Sequence, residues 1–242
     1  MSINRKGFFQ KKVKKQKYNK FFSYNNKIRT DREFIYKNFE KSNSYNTRFT
    51  RSAFKYTNFY KVIMKYCGFN GALFIGSEFK NANLKGSRFK SAKFKDVIFL
   101  NTKLDKTDFT RATFENVFFV NTSLKSARGI NADTVGLTLL NSLPTLELSN
   151  ELEDSILKAL NNEKIKNSQT LMFNKKKRYN TLNIMKLLNI FTEEEIILGL
   201  DIATRKVYKN FYTLSYLVSF LKREFQTKNG SNEINTKYVD NI

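Results

Sequence analysis

Histidine and tryptophan are absent from this 242-residue sequence, and cysteine and proline each occur once. Without histidine there is no Ser–His or Cys–His nucleophile pair and no imidazole metal site. The single cysteine, Cys67, excludes a disulfide within the chain, which fits a reducing, cytoplasmic setting. No segment approaches the roughly 18 uninterrupted apolar residues of a membrane span, so we expect no insertion into a membrane.

Phosphate-binding loops and dinucleotide-binding glycine motifs are also missing. The acidic residues in the middle of the chain fall on positions that we expect to face solvent, where a carboxylate is not perturbed. They are Glu78, Asp96, Asp105, Asp108 and Glu115. We therefore predict no enzymatic activity, no cofactor and no bound metal.

A period of five residues runs through the middle of the chain. From Phe34 to Leu124 every fifth residue is large and apolar, except Ser44. Two positions earlier, from Ser42 to Ala127, the side chain is always Ser, Thr, Ala, Val or Cys. Neither a helix nor a flat strand matches this period, because each would scatter the large residues over all of its faces. The pattern predicts a coil with a corner every five residues and both members of each pair pointing inward.

Segments such as AlaAsnLeuLysGly (82–86), SerArgPheLysSer (87–91) and AlaThrPheGluAsn (112–116) carry a recognisable repeat. They resemble the pentapeptide-repeat family, whose repeat is a small residue, a variable one, Leu or Phe, and two more variable ones. The resemblance covers residues 32–128. It implies a mainly β repeat solenoid, a right-handed quadrilateral β-helix of about five coils with about twenty residues in each.

Residues twenty apart should stack in such a β-helix. The members of the five-residue series that are not Phe follow one another at intervals of twenty residues, which places them on one wall: Ser44, Met64, Leu84, Leu104 and Leu124. Asn81, Asn101 and Asn121 would share a corner, where their amides can form a ladder. With coils about 4.8 Å apart, five coils make a rod about 24 Å long.

The sequence divides into four parts. We expect residues 1–31 to form a basic, aromatic-containing arm or an N-terminal cap, and residues 32–128 to form the β-helix. Residues 129–226 are predicted to be an α-helical C-terminal cap or small helical domain, followed by a disordered tail at 227–242. Caps are needed at both ends because the backbone edges of the terminal coils are otherwise unpaired.

Helical patterns replace the five-residue period after Gly129. Asn150 with Glu153, and Thr192 with Glu195, predict capping boxes that begin two helices. Two further helices are predicted at 181–190 and 212–225, and 162–179 is predicted to be a polar connection.

The net charge of +23 is unevenly distributed. Residues 1–29 carry ten Lys or Arg and no acid, residues 30–128 carry 19 basic and 8 acidic residues, and 129–242 carry 15 and 13. A composition rich in Lys, Asn, Ile, Phe and Tyr is typical of an AT-rich genome, but codon bias does not concentrate lysine at one end. We therefore expect a cationic arm and β-helix and a nearly neutral C-terminal region.

In the arm, basic residues alternate with Phe and Tyr. Basic side chains neutralise phosphates and exposed rings stack on unpaired bases. The same string would also attach to an anionic membrane surface, or pack as the N-terminal cap. The candidate contacts in the arm with nucleic acid or another anionic partner are Arg5, Lys6, Lys11, Lys12, Lys14, Lys15 and Lys17.

A second group of basic candidates lies on the β-helix. Their outward positions on adjacent walls predict one patch: Lys65, Lys85, Arg88, Lys90, Lys93 and Lys95. An apolar patch is predicted as well, because Ile98 should stack on Phe118 and Leu100 on Val120. Either the C-terminal helices dock on this patch, or it is a homodimer or partner interface.

Residues 192–211 resemble a helix-turn-helix motif, with 201–203 as the turn and 204–211 as the recognition helix. The resemblance implies that Arg205, Lys206 and Lys209 face the major groove of DNA. The alternative interpretation is an ordinary helical cap.

A filled interior leaves only the outside of the rod for function. We therefore predict a non-enzymatic interaction protein that displays a basic rod surface to a macromolecular partner, either an acidic protein surface or a nucleic acid. Nucleic-acid binding through the arm, the basic walls and residues 204–209 is the alternative. The family resemblance also implies a topoisomerase-interacting resistance or immunity protein that mimics DNA. Mimicry of that kind requires a negative surface, and this rod is positive.

Overall fold

A computed structural model describes residues 23–174 and 177–229. Eleven short strands form the first part of the chain: β1 (Glu33–Ile35), β2 (Asn43–Tyr45), β3 (Ala53–Lys55), β4 (Ile63–Lys65), β5 (Leu73–Ile75), β6 (Glu78–Lys80), β7 (Lys93–Lys95), β8 (Ile98–Leu100), β9 (Thr113–Glu115), β10 (Val117–Val120) and β11 (Leu137–Leu140). The second part contains α1 (Asn150–Ala159), α2 (Glu163–Ser168), β12 (Met172–Phe173), β13 (Arg178–Tyr179), α3 (Thr181–Leu188), α4 (Glu193–Lys206) and α5 (Leu214–Asn229). We call this second part the helical unit.

The first part is a four-sided β-helix of about five turns, as predicted. Strands pair in parallel with partners twenty residues away, so that Phe54 lies beside Phe74 and Phe79 beside Phe99. We number the walls by their inward residues: wall 1 has Phe34, Phe54, Phe74, Phe94 and Phe114; wall 2 has Phe39, Phe59, Phe79, Phe99 and Phe119; wall 3 has Ser44, Met64, Leu84, Leu104 and Leu124; wall 4 has Phe49, Phe69, Phe89 and Phe109.

Stacked phenylalanine rings fill the interior. Along wall 1 the successive ring centroids lie 4.8, 4.9, 5.0 and 5.3 Å apart, with rings within 8° of parallel. Walls 2 and 4 carry similar stacks. These spacings match the distance between adjacent strands, because each ring follows the backbone of its own coil. The interior is therefore a packed core with the rings of adjacent walls meeting edge to face.

Small inward residues join the coils through their hydroxyl groups. Thr57 Oγ1 donates to the carbonyl of Phe34 at 2.8 Å, and Ser77 Oγ donates to the carbonyl of Phe54 at 3.0 Å. In each case the acceptor lies 23 residues earlier, on the preceding coil. A small residue leaves room for the adjacent ring, and the buried hydroxyls of Thr57 and Ser77 are satisfied by these bonds, whereas the buried Ser42 hydroxyl has no hydrogen-bond partner among the described residues.

Each corner residue of the β-helix from Asn26 to Asn121 has a positive φ. Most of these residues are not glycine, although a left-handed conformation costs other residues roughly 1–2 kcal/mol. Hydrogen bonds between coils hold the corners in place: the Tyr36 N–H donates to the carbonyl of Lys55 at 2.9 Å, and the Lys41 N–H donates to that of Tyr60 at 2.8 Å.

The β-helix extends beyond the predicted bounds of 32 and 128. At its beginning, Ile28 forms a parallel bridge with Arg48, so residues 23–31 already belong to a coil. At its end, β11 pairs with β10 and brings Leu139 beside Phe119. The five-residue period fails at Gly129, but a strand needs only backbone hydrogen bonds to continue the wall. Residues 1–22 of the predicted arm lie outside the described residues.

The helical unit has its own apolar core, built mainly from α1, α4 and α5. Thr192 and Glu195 form the predicted capping box of α4. The cap of α1 is different from the prediction: Ser149 accepts from the Leu152 N–H, and Asn150 is the first helical residue. The predicted polar connection contains α2 and the hairpin β12–β13, and α5 continues to Asn229, into the predicted tail. None of the helices in the described ranges is both long enough and apolar enough to cross a membrane.

The helix-turn-helix prediction is wrong. The predicted turn at 201–203 lies inside α4, and residues 207–213 are not helical. Asp201 stands where the motif usually has a turn glycine, so nothing there interrupts the helix. Arg205 instead pairs with Asp201 one turn earlier, and Lys206 lies 2.6 Å from Glu224 of α5. Lys209 Nζ lies 5.2 Å from the centroid of the Tyr208 ring.

Phe74→Ala should lower the free energy of unfolding by about 3–5 kcal/mol, because the stacked rings around it cannot collapse into the cavity. Thr113→Ala, an exposed substitution on the same wall, is the control and should change stability by less than about 0.5 kcal/mol. Urea unfolding followed by circular dichroism measures both variants. A loss below about 1 kcal/mol for Phe74→Ala would contradict the packed core.

Cys67 occupies an inward small position and is fully buried, as predicted. Burial raises the pKa of its thiol to about 11. Because the thiolate is the reactive form, a thiol-specific reagent at pH 8 should react at least about 100-fold more slowly with the native protein than with the protein in urea. Comparable rates in the two states would show that the β-helix opens readily around Cys67.

Candidate binding surfaces

The helical unit covers wall 2 of the β-helix. The predicted apolar patch of Ile98, Leu100, Phe118 and Val120 is buried against Leu182 of α3, with further contacts from residues such as Met185. In the structure the C-terminal helices dock on this patch, so its side chains are covered within the chain.

Glu78 lies beneath the helical unit and is 1% exposed. Its carboxylate accepts a hydrogen bond from the Leu214 N–H at the start of α5 (2.6 Å) and pairs with Lys80 at 2.5 Å. The prediction that Glu78 faces solvent is therefore wrong. Its position on the coil is outward, as expected, but α5 covers that part of wall 2. The carboxylate now caps a helix N-terminus, which favours negative charge.

Lys186 of α3 is a second buried ionisable group at this contact. Its ammonium lies 3.8 Å from the centroid of the Phe118 ring and donates to Asn116 Oδ1 at 3.3 Å. Burial lowers the pKa of Lys186 to about 8, although the negative charges of Asp96 and Glu78 oppose this shift. Sequence reasoning missed this residue, since only the docking of α3 removes it from water.

The outward positions of walls 3 and 4 lie on the sides that the helical unit leaves uncovered. Together with the corner between them they carry nine basic residues and two acidic residues, Asp105 and Asp108. We call these nine residues the basic face: Arg48, Lys65, Lys85, Arg88, Lys90, Lys103, Lys106, Lys125 and Arg128. Each of them is exposed or half-buried.

Few of these charges are neutralised locally. Lys90 lies 3.4 Å from Asp108, but within the described part of the chain no other member of the basic face has a carboxylate within 4.0 Å. Wall 1 is different, because Lys55 pairs with Glu33 at 3.1 Å and Lys95 pairs with Glu115 at 2.9 Å. Among the described residues, eight unpaired cations therefore lie on walls 3 and 4 and the corner between them.

The structure brings together four of the six predicted basic residues of the rod. Lys65 and Lys85 lie on wall 3, and Arg88 and Lys90 lie on wall 4. Lys93 and Lys95 lie on wall 1 and are not part of the basic face. The arm candidates Arg5, Lys6, Lys11, Lys12, Lys14, Lys15 and Lys17 lie outside the described residues. Arg205 and Lys206 lie in the last turn of α4, and Lys209 lies in the segment between α4 and α5.

Five members of the basic face were not predicted: Arg48, Lys103, Lys106, Lys125 and Arg128. Arranging the sequence in rows of twenty would have found them, since Lys125 lies in the column of Lys65 and Lys85, and Arg48 and Arg128 lie in the column of Arg88. The basic face can hold an extended anionic surface by charge and hydrogen bonding.

Two tyrosines lie among these cations on the wall 3 side. Tyr45 is 50% exposed and Tyr66 is 43% exposed, and their ring centroids are 5.6 Å apart in an edge-to-face arrangement. Among the described residues there is no group of three or more His, Cys, Asp or Glu that could hold a metal ion.

Comparison with known proteins identifies the repeat. Residues 72–143 match the family model described as a pentapeptide repeat region. No curated protein matches the chain. The chain thus contains a pentapeptide repeat region, as predicted, and proteins of this kind are mostly non-enzymatic binding proteins.

Solved structures of pentapeptide repeat proteins are similar to this chain at low identity. Rfr23 from the cyanobacterium Cyanothece 51142 is 11% identical over 49% of this chain and 85% of its own, with a TM-score of 0.31. A pentapeptide repeat protein from the Arabidopsis thaliana thylakoid lumen is 18% identical over 53% of this chain and 75% of its own, with a TM-score of 0.33. QnrB1, a plasmid-mediated fluoroquinolone resistance protein, is 12% identical over 50% of this chain and 91% of its own, with a TM-score of 0.19.

Lys186→Met should stabilise the protein at pH 7 by about 1–3 kcal/mol, because it removes a buried cation whose folded-state pKa is about 8. Between pH 8 and about 10.4 the unfolded wild type binds more protons than the folded one, so its stability rises with pH. The advantage of the variant should therefore shrink over that range. Urea unfolding at pH 7, 8, 9 and 10 measures it.

Lys158→Met, at an exposed position of α1, is the matched control and should show no such trend. A difference between wild type and Lys186→Met that stays constant from pH 7 to 10 would show that Lys186 is not desolvated.

Proposed function

We propose that this protein is a non-enzymatic interaction protein whose β-helix displays its basic face to an anionic macromolecular partner. The observation that supports the proposal most directly is the position of the unpaired charge. Positive residues are concentrated on the walls that the helical unit leaves open, whereas the charges of wall 1 are largely paired. The interior is filled with phenylalanine, so binding has to use the outside of the rod.

The rigidity of the rod favours this role. Coils joined by backbone hydrogen bonds hold the cations of successive coils about 4.8 Å apart, and this spacing changes little on binding. Exposed lysines keep most of their hydration, so the attraction depends on many weak contacts and falls steeply with salt. A partner with regularly spaced negative charge would engage several members of the basic face at once.

A role as a DNA mimic fits this surface poorly. Mimicry of DNA requires an array of negative charge, and the basic face carries the opposite sign. The similarity to QnrB1, a fluoroquinolone resistance protein, lies at 12% identity and gives no reason to transfer that role. We therefore do not propose a topoisomerase-directed function.

Charge reversal at the basic face tests the proposal. Lys65→Glu combined with Arg88→Glu removes two cations and introduces two anions on adjacent walls. Binding of the full chain to fluorescein-labelled heparin, a polyanion, should weaken by about 10- to 30-fold at 100 mM salt, measured by fluorescence anisotropy. The basic residues at 1–22 are present in both proteins and do not affect the comparison.

The matched control is Lys158→Glu combined with Arg223→Glu, which makes the same change in net charge on exposed positions of the helical unit. It should weaken heparin binding by less than about threefold, because charges beyond a Debye length are screened. Equal losses in the two double variants would show that only net charge matters, and would overturn the assignment to the basic face.

A further inference from the structure

We propose that the anionic partner of the basic face is a single-stranded nucleic acid, bound along wall 3 with Tyr45 and Tyr66 as its base-stacking platform. This inference rests on the proposed function and specifies its partner. Three observations support it: two exposed rings, unpaired cations around them, and nothing among residues 23–174 and 177–229 that covers them.

The Tyr66 ring can occupy its position because the neighbouring residue Gly86 has no side chain. Tyr66 is a corner residue, and its ring lies over the next corner in the same column, Gly86. A Cβ atom at Gly86 would lie 2.4 Å from Tyr66 Cδ1, so only glycine permits this position of the ring. One face of the ring rests on the backbone while 43% of the residue stays exposed. Tyr45 meets it edge to face, which leaves a rigid pair of rings on the surface.

Tyrosines at another corner of the rod are contacted by the helical unit, although Tyr36 itself remains 52% exposed. Tyr36 and Tyr56 stack on each other at the corner between walls 1 and 2. The helical unit uses both of them: Tyr216 packs edge to face against Tyr36, and Ser219 Oγ hydrogen bonds to Tyr56 Oη at 3.3 Å. No part of the described chain takes that role for Tyr45 and Tyr66, so their exposed faces remain free for a ligand.

Cations surround this pair of rings. Lys65 lies next to Tyr66 in the chain and beside Tyr45 in the strand register. Lys85 follows Lys65 on the next coil, and Lys106 follows Gly86 at the same corner. Rings interspersed with cations are the arrangement by which proteins bind single strands, with bases on the rings and phosphates on Lys and Arg. At a rise of about 3.4 Å per stacked nucleotide, a rod about 24 Å long accommodates roughly seven nucleotides.

The same observations favour a single strand over the other anionic partners. A duplex hides the faces of its bases, so exposed tyrosines would gain nothing from it. An acidic protein would meet a surface made largely of lysine, a residue depleted in protein interfaces. Lysine is, in contrast, well suited to phosphates, which it binds as a flexible point charge.

Anisotropy titrations of the full chain with three fluorescein-labelled probes test the inference: a 15-nucleotide oligothymidylate, a 15-base-pair duplex and a 15-residue polyglutamate. Tyr66→Asn removes the ring and keeps a residue that this corner accepts, since Asn46 occupies the preceding corner of the column with φ 48°. We expect Tyr66→Asn to weaken oligothymidylate binding by about 5- to 100-fold and to leave the salt dependence unchanged, because stacking involves no charge.

Two matched substitutions complete the test. Tyr66→Phe keeps the ring and should bind oligothymidylate within about twofold of the wild type. Tyr208→Ala removes a ring on the helical unit that is 75% exposed, and should have no effect. Protection of the Cys67 thiol in each variant shows that the β-helix is still folded.

The outcomes separate this inference from the proposed function. If polyglutamate or the duplex binds as tightly as oligothymidylate, and Tyr66→Asn changes nothing while Lys65→Glu with Arg88→Glu weakens binding, the basic face is confirmed and the single-strand inference is overturned. If oligothymidylate binding is insensitive to both the ring and the charge substitutions, both proposals are overturned.

Discussion

Parallel hydrogen bonding between residues twenty apart constrains every other part of this β-helix. Because each residue is paired with its counterparts on the coils before and after it, each inward side chain stacks on the residue twenty positions away, and on walls 1 and 4 that residue is another Phe. Phenylalanine stacks through parallel rings, and Ser or Thr bonds through its hydroxyl to the preceding coil. The same pairing holds non-glycine residues in a left-handed conformation at the corners, where an isolated turn would favour glycine.

Outward side chains of the rod are free of this constraint. Whether another part of the chain covers a wall determines how buried its outward side chains are and how their charges are paired. Wall 2 is covered by the helical unit, which turns Glu78 into a buried helix cap and Lys186 into a desolvated cation. Wall 1 pairs its charges along the rod axis. Walls 3 and 4 have neither a cover nor sufficient carboxylates. The asymmetry of the molecule therefore arises from where one small helical unit docks on a rod whose interior is nearly the same on every side.

Several sequence predictions succeeded because they depended only on periodicity. The columns of Phe, the burial of Cys67 and the hydrogen bond from Asn121 to Asn101 (2.7 Å) all follow from a repeat of twenty. Predictions that depended on local motifs fared less well. The residues at 201–203 fit the turn of a helix-turn-helix pattern, yet in the structure they lie inside one continuous helix. They contain no helix-breaking residue, and α4 packs against α1 and α5. Likewise the β-helix continues past Gly129, where the side-chain pattern ends but backbone pairing does not.

By itself the sequence determined the coil, its period, which residues point inward and the excess of positive charge, because each of these depends on the order of residues along one chain. Only the tertiary structure decided which outward residues are buried, which charges are paired and which rings stay exposed. Glu78 and Arg88 occupy equivalent outward positions, each one residue before an inward Phe, yet Glu78 is 1% exposed and Arg88 is exposed on the basic face. The difference lies in the docking of α3 and α5 on wall 2. These contacts join residues 70 apart at Lys186 and Asn116 and 136 apart at Leu214 and Glu78, which no local pattern encodes.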